Sequence, residues 1–339
     1  MAVTIKDVAK HAGVTIGTVS RAINGYKDIS PATKERVFAS VEALGYTPNV
    51  IARGLSSKTN TNMGVIISGL LNSNLKDNLW YMMLQGIYRY TSRYNIEISI
   101  YTTDSSQQKR KSYRQFCRER NLAGAILSGI TTTDPYFEEL MQADIPCVVI
   151  DVPVIGQKAG CISIDNIQAS REMVEYLIHL GHQRFVVIAG KKETSVTLER
   201  MAGIRQGLLA HGLELDGSDI LYCDFNETTA FQKVKEYVAE YRKTRGLCFV
   251  CMSDVMAIGA IRALNECGYR VPDDFSVTGF DDIPLAEFLR PALTTVRQDF
   301  NEFGYQSARL LKKIIQNQAA PQHLYIPHQI ITRESVRPY

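Results

Sequence analysis

No run of eighteen consecutive apolar residues occurs in the 339-residue sequence, so no segment is long enough to cross a bilayer as a helix. The opening residues, Met1-Ala2-Val3-Thr4-Ile5-Lys6-Asp7, place a base and an acid where an export signal needs an apolar stretch. A cytoplasmic chain without membrane contact is therefore expected. Glycine (23) and proline (11) are too scarce for a low-complexity chain. No G-x-G-x-x-G, P-loop, G-x-S-x-G or H-E-x-x-H is present, which removes the enzyme classes that announce themselves by those motifs. Seven cysteines (117, 147, 161, 223, 248, 251, 267) are an odd number, mostly in apolar runs, as reduced buried thiols are. Cys248 and Cys251 match C-x-x-C, but they lie inside a strand-like apolar run and have no second pair or histidine cluster beside them. Neither a metal, a cofactor nor an enzymatic activity is expected.

What is present fits an ordinary globular chain of 38.0 kDa, with 45% apolar and 22% charged residues, large enough for two or three domains. The net charge of +3 is uneven. Residues 1–62 hold eight bases (Lys6, Lys10, Arg21, Lys27, Lys34, Arg36, Arg53, Lys58) against four acids (Asp7, Asp28, Glu35, Glu42), while the remainder holds 30 bases and 31 acids. A basic head on a neutral body predicts an anionic partner for the head alone.

Within the head, Ile5, Val8, Ala9 and Ala12 recur at the spacing of one helix face. Thr4 with Asp7 resembles a capping box. Gly13 ends this helix, Thr15 caps a second one with Val19, Ala22 and Ile23 inward, and Ser30-Pro31 begins a third that Gly45 stops. Two short helices across a glycine-containing turn form the helix-turn-helix skeleton.

Thr4-Ile5-Lys6-Asp7-Val8-Ala9, Ala12-Gly13-Val14-Thr15 and Thr18-Val19-Ser20-Arg21 with Asn24 together resemble the head of the LacI/GalR family of bacterial transcription regulators. Leu180-Gly181-His182-Gln183, Arg200-Met201-Ala202-Gly203, Ser253-Asp254, Gly279-Phe280-Asp281-Asp282, Pro291-Ala292-Leu293-Thr294-Thr295-Val296 and Arg333-Glu334-Ser335 follow in the family's order. The resemblance implies that the second helix enters the major groove, with Ile16 and Gly17 leading it and Arg21 reading guanine. Many relatives carry polar readers at the first two places, so the operator preference of this chain is its own. Thr4, Thr15, Thr18, Ser20 and Asn24 are implied phosphate contacts, which fix register. Leu55 stands where the family wedges a leucine into the minor groove, on a short segment that orders on DNA.

From Met63 onward apolar runs alternate with amphipathic stretches, which predicts parallel sheets with helices on both faces. One helix is expected over Gln107–Arg120. The expected fold is a small all-α helix-turn-helix head (1–46), a hinge segment (47–62) and an α/β body (63–339). The body reads as two doubly wound parallel-sheet lobes resembling a periplasmic sugar-binding protein, about 63–161 with 294–322 and about 162–293 with 323–339. Ligand is expected at the strands' carboxyl ends. The family places effector contacts at Arg200 and Asp281 and commonly an aromatic at Phe225. Trp80, the only tryptophan, suits stacking on a sugar ring. Ser128, Asp151 and Asp165 end strands, and Ser253 replaces a common asparagine with a shorter reach.

The expected function is a homodimeric repressor of carbohydrate-utilisation genes that binds a pseudo-palindromic operator and responds to a mono- or disaccharide. Control by a purine-like corepressor or a phosphorylated carrier protein, or a receptor role without regulation, are the alternatives. The last residues, Arg333–Tyr339, carry no leucine heptad, so the tetramer-forming tail of some relatives is not expected.

Overall fold

The computed structural model describes residues 3–23, 25–26, 28–46, 62–69, 79–240 and 247–339. They divide into two units, Met1–Thr61 and Asn62–Tyr339. Asn24, Leu55 and the hinge stretch 47–61 lie outside the described residues.

The first unit contains helices α1 (Ile5–Ala12), α2 (Ile16–Ile23) and α3 (Pro31–Ala43). The Asp7 carboxylate accepts from the Thr4 backbone N–H at 2.8 Å and from the Thr4 hydroxyl at 2.7 Å, which draws its pKa below the usual carboxylate range. Gly13 closes α1 in the left-handed region, at φ 65°. The Thr15 hydroxyl accepts from the Thr18 N–H at 3.1 Å and starts α2; the Ser30 hydroxyl does the same for Thr33 at 3.3 Å and starts α3. Val8, Ala9, Ala12, Val19, Ala22 and Val37 form a small core. Val8, Val19 and Val37 are fully buried, each contributing about 1.5–3 kcal/mol.

The second unit is built on two parallel sheets. The first has the order β11-β5-β4-β3-β1-β2, from β1 (Met63–Ser68), β2 (Ile98–Thr103), β3 (Gly124–Ser128), β4 (Cys147–Ile150), β5 (Ala159–Ser163) and β11 (His323–Tyr325). The second has the order β7-β6-β8-β9, from β6 (Arg184–Ala189), β7 (Ile220–Tyr222), β8 (Leu247–Cys251) and β9 (Ser276–Thr278). An antiparallel pair, β10 (Thr295–Gln298) and β12 (His328–Ile331), adjoins it through bridges Thr278↔Thr294 and Asp281↔Arg297. Strands β3, β4, β5 and β8 are buried along their whole length, as strands covered on both faces must be. All seven cysteines are free thiols; burial pushes Cys117 up to about 12 and Cys223 up to about 11.

Helix α4 (Leu79–Arg93) packs on the first sheet against the helix Phe300–Ile315. Their axes approach closely because both sides carry glycine. A Cβ on Gly86 would sit 1.9 Å from the Asn301 carbonyl oxygen, and one on Gly304 would sit 2.0 Å from that of Met83. The segment 107–120 is two helices, Ser105–Arg110 and Tyr113–Glu119, rather than one. Lys111 is extended, and the Ser112 hydroxyl accepts from Gln115 N–H at 3.2 Å to start the second helix. Residues 105–112 are all polar, so no apolar spacing marks the break.

Among the described residues the chain passes between the two sheet systems three times. It leaves β5 through Ile164 and Asp165, leaves β10 through Asp299, and leaves β11 through Ile326 and Pro327. Strand β10 thus lies beside the second sheet, and β11 pairs with β5 on the first. Residues 294–298 and 323–325 therefore exchange places relative to the expected lobe boundaries. This follows from long-range pairing that no local pattern announces.

Candidate functional site

In the first unit, α2 turns Val19 and Ala22 into the core and leaves Ile16, Gly17 and Arg21 exposed. Ile16 is 44% exposed, an apolar contact with no polar reading capacity. A Cβ on Gly17 would meet only the Thr15 hydroxyl, at 3.7 Å. The glycine therefore leaves the helix face bare without any packing requirement. Thr15 and Thr18 hydroxyls bond to each other at 2.9 Å, and Ser20 is half-buried.

In the second unit a cavity of about 370 Å³ opens where strands of both sheets end, within the size range of small-molecule sites. Seven residues expected at an effector site line it: Trp80, Ser128, Asp151, Arg200, Phe225, Ser253 and Asp281. Ser128 and Asp151 come from the ends of β3 and β4; Ser253 follows β8, and Asp281 follows β9. This is where a doubly wound sheet offers its loops. Asp165 does not line this cavity. Its carboxylate accepts from the Gln168 N–H at 2.8 Å and caps the helix Asn166–His179. A strand-end aspartate followed by a helix serves the helix first.

Gln298, Phe300, Met83, Thr194 and Ser195 also line the cavity, and sequence reasoning did not single them out. Gln298 and Phe300 flank Asp299, whose carboxylate accepts from Glu302 N–H at 2.9 Å to start the helix Phe300–Ile315. That cap was the available signal.

The polar centre is Arg200, only 4% exposed. Its Nε donates to Asn166 Oδ1 at 2.9 Å and its Nη1 to the Met252 carbonyl. Its Nη2 lies 3.9 Å from Asp281 Oδ1, and its Cζ is 3.5 Å from the Phe280 ring centroid. Burial lowers its pKa, and Asp281, Asp151 and Glu199 oppose that shift. Asp281 accepts from Gln298 Nε2 at 2.7 Å and stands at φ 117°, a conformation L side chains rarely adopt. Asp151 is left-handed as well, at φ 60°. It is half-buried as a residue, yet its Oδ1 is enclosed and makes no hydrogen bond among the described residues. Burial raises its carboxyl to about 6, opposed by Arg200 and reinforced by Glu199. Gln298 Oε1 is likewise enclosed and has no donor among the described residues. Two unsatisfied acceptors call for a ligand that donates hydrogen bonds.

The walls are apolar and aromatic. Trp80 opens α4 and is half-buried, packed against the core as well as lining the cavity. Phe225, at φ 56°, lies against Gly190, where a Cβ would come within 2.1 Å of its ring. The Ser253 hydroxyl accepts from Met256 N–H at 3.2 Å, so its acceptor capacity is shared with a helix start.

Comparison with known proteins covers both units. The model for "Bacterial regulatory proteins, lacI family" matches residues 4–49, and that for "Periplasmic binding protein-like domain" matches residues 174–336. Catabolite control protein A of Priestia megaterium is 31% identical over 99% of this chain and 100% of its own length. The regulator CelR of Thermobifida fusca is 30% identical over 98% of each. Among solved structures, the Lac repressor dimer bound to operator and the anti-inducer ONPF has a TM-score of 0.86 at 26% identity, covering 99% of this chain and 100% of that one. The CelR–cellobiose complex has a TM-score of 0.74 at 29% identity, over 98% and 99%.

Proposed function

The chain belongs to the LacI family of bacterial regulatory proteins, DNA-binding regulators rather than enzymes, and from that premise we propose a repressor of carbohydrate-utilisation genes controlled by a sugar. The observation that carries the effector reading is the cavity itself. Its unpaired acceptors on Asp151 and Gln298 suit a ligand rich in hydroxyl donors, and its Trp80 and Phe225 walls suit the apolar faces of a sugar ring. The cellobiose complex and the ONPF-bound repressor among its relatives support the same class.

The head reads one half-site, so two copies bind a pseudo-palindromic operator as a homodimer. Ile16, Gly17 and Arg21 face the bases. Thr4, Thr15, Thr18, Ser20 and Asn24 meet phosphates, and Leu55 wedges the minor groove. The protein acts in the cytoplasm, where its operator is; no helix among the described residues is long and apolar enough to cross a membrane. Effector binding shifts the equilibrium between arrangements of the two sheet systems about their three crossings. By linkage, the effector changes operator affinity by the factor with which operator changes effector affinity.

Trp80 fluorescence tests this reading, since it is the only tryptophan and lines the cavity. Titration with mono- and disaccharides, with purines as controls, should give a saturable change with one sugar. A flat response to every sugar, together with no thermal shift, would refute the sugar reading.

A further inference from the structure

We infer that Asp28 is a positioning residue for base reading: it holds the guanidinium of Arg21 in place to meet a guanine, and so sets how strongly the head prefers that base. The inference rests on the reading of α2 as the helix that enters the major groove.

Arg21 lies in the last turn of α2 with its side chain half exposed. A long side chain of this kind, left to rotate, must be immobilised when DNA binds, and that ordering weakens the contact. Here it is held beforehand from two directions. Its Nη2 is ion-paired with Asp28 Oδ2, and its Cζ lies 5.6 Å from the centroid of the Tyr26 ring. Both partners belong to the turn between α2 and α3, and that turn is itself anchored. Tyr26 N–H donates to the Arg21 carbonyl at 3.1 Å, and Gly25 N–H to that of Ala22 at 3.1 Å. At its other end Ser30 caps α3. A carboxylate on one edge and a ring on one face fix the plane of a guanidinium. Five N–H donors are available in that fork, so one edge stays open for the O6 and N7 acceptors of guanine.

The pair makes poor sense as a stabiliser, because both side chains are about half exposed and such pairs add little. It makes better sense as a device for selection. On that reading, a carboxylate paired to the base-reading Arg21 lies near the phosphates, repels them and weakens binding to every sequence, whereas the fixed Arg21 favours only sites with guanine at its position. Asp28 thereby exchanges general affinity for discrimination.

The test uses the full chain. A pool of duplexes with a randomised half-site defines the selected operator, and anisotropy competition then measures the wild type, Asp28→Asn, Asp28→Glu and Arg21→Lys against all single-base variants. Asp28→Asn should bind random DNA more tightly. Its discrimination should fall about two- to fivefold, the span of an exposed ion pair, at the G·C pair to which Arg21→Lys is sensitive and at no other. Asp28→Glu, which keeps the carboxylate, should recover part of the loss. Unchanged discrimination at that pair, or an equal change at every position, overturns the inference while leaving the DNA-binding reading intact. Failure of the wild type to select any motif removes the reading and the inference together. Should Asp28→Asn lower the melting temperature, the comparison is made at a temperature where both proteins are fully folded, and the same two outcomes decide.

Discussion

Asp281→Asn is the most informative single change in the cavity, because it removes a charge and almost nothing else. Asparagine tolerates the positive φ of this position, 117°, better than most residues other than glycine. Its amide oxygen can still accept the 2.7 Å bond from Gln298 Nε2. What is lost is the anion 3.9 Å from Arg200 Nη2. Orphaning a buried cation costs about 3–5 kcal/mol, but Arg200 keeps its bonds to Asn166 and Met252 and the attraction of Asp151. Asp254, whose carboxyl is pushed well up by burial and by Asp281, gains from the change. The net stability loss should therefore be about 1–2 kcal/mol, a melting shift of a few degrees. The effector loses a charged acceptor worth about 1.5–3 kcal/mol, or roughly 10- to 150-fold in affinity. Calorimetric titration with the sugar that moves Trp80 measures this, with operator anisotropy run alongside. Effector affinity within twofold of wild type would show that Asp281 does not touch the ligand. Loss of operator binding in the absence of effector would show that the residue supports the DNA-binding unit instead.

Asp151 has its carboxyl raised to about 6, so the folded chain holds a proton that the unfolded chain releases near pH 4. The contribution of this group to stability is fullest below pH 4 and is lost as pH rises through 6. Asp151→Asn should accordingly raise the melting temperature at pH 7.5 and flatten its dependence between pH 4 and 6. Effector affinity should fall in the wild type as pH drops through 6, because the accepting carboxylate is protonated; a pH-independent affinity would contradict its role. Gly190→Ala should weaken the effector about tenfold or more by pushing Phe225, whose ring lies within 2.1 Å of the new Cβ, into the cavity, at a cost on the order of 1–3 kcal/mol; unchanged titration curves would show that the wall gives way elsewhere. Leu55→Ala should reduce specific operator affinity with effector binding untouched, and an unchanged operator titration would remove the wedge.

The head was legible from the sequence because its signals are local. Thr4 with Asp7, Thr15 and Ser30 each make the bond that their position suggests, and Val8, Val19 and Val37 meet in the core that their spacing requires. The cavity was legible where strand ends carry polar residues, as at Ser128, Asp151 and Asp281. It was not legible where the wall depends on distant pairing. Gln298 arrives through β10, whose partner β12 lies 30 residues further on by register, Gln298 opposite His328. Asp165 shows the opposite failure: it occupies the right kind of position, yet the helix beginning at Asn166 claims its carboxylate. The break at Lys111 and Ser112 was not legible because residues 105–112 carry no apolar side chain to show a period, and the Ser112 cap was the one local signal.

A reciprocal titration decides whether effector and operator are linked through one chain. Operator affinity is measured with and without saturating sugar, and sugar affinity with and without saturating operator. The same factor is expected in both directions, about 5- to 150-fold. A sugar that saturates the cavity and changes Trp80 fluorescence, yet leaves operator affinity unchanged, would contradict the linkage.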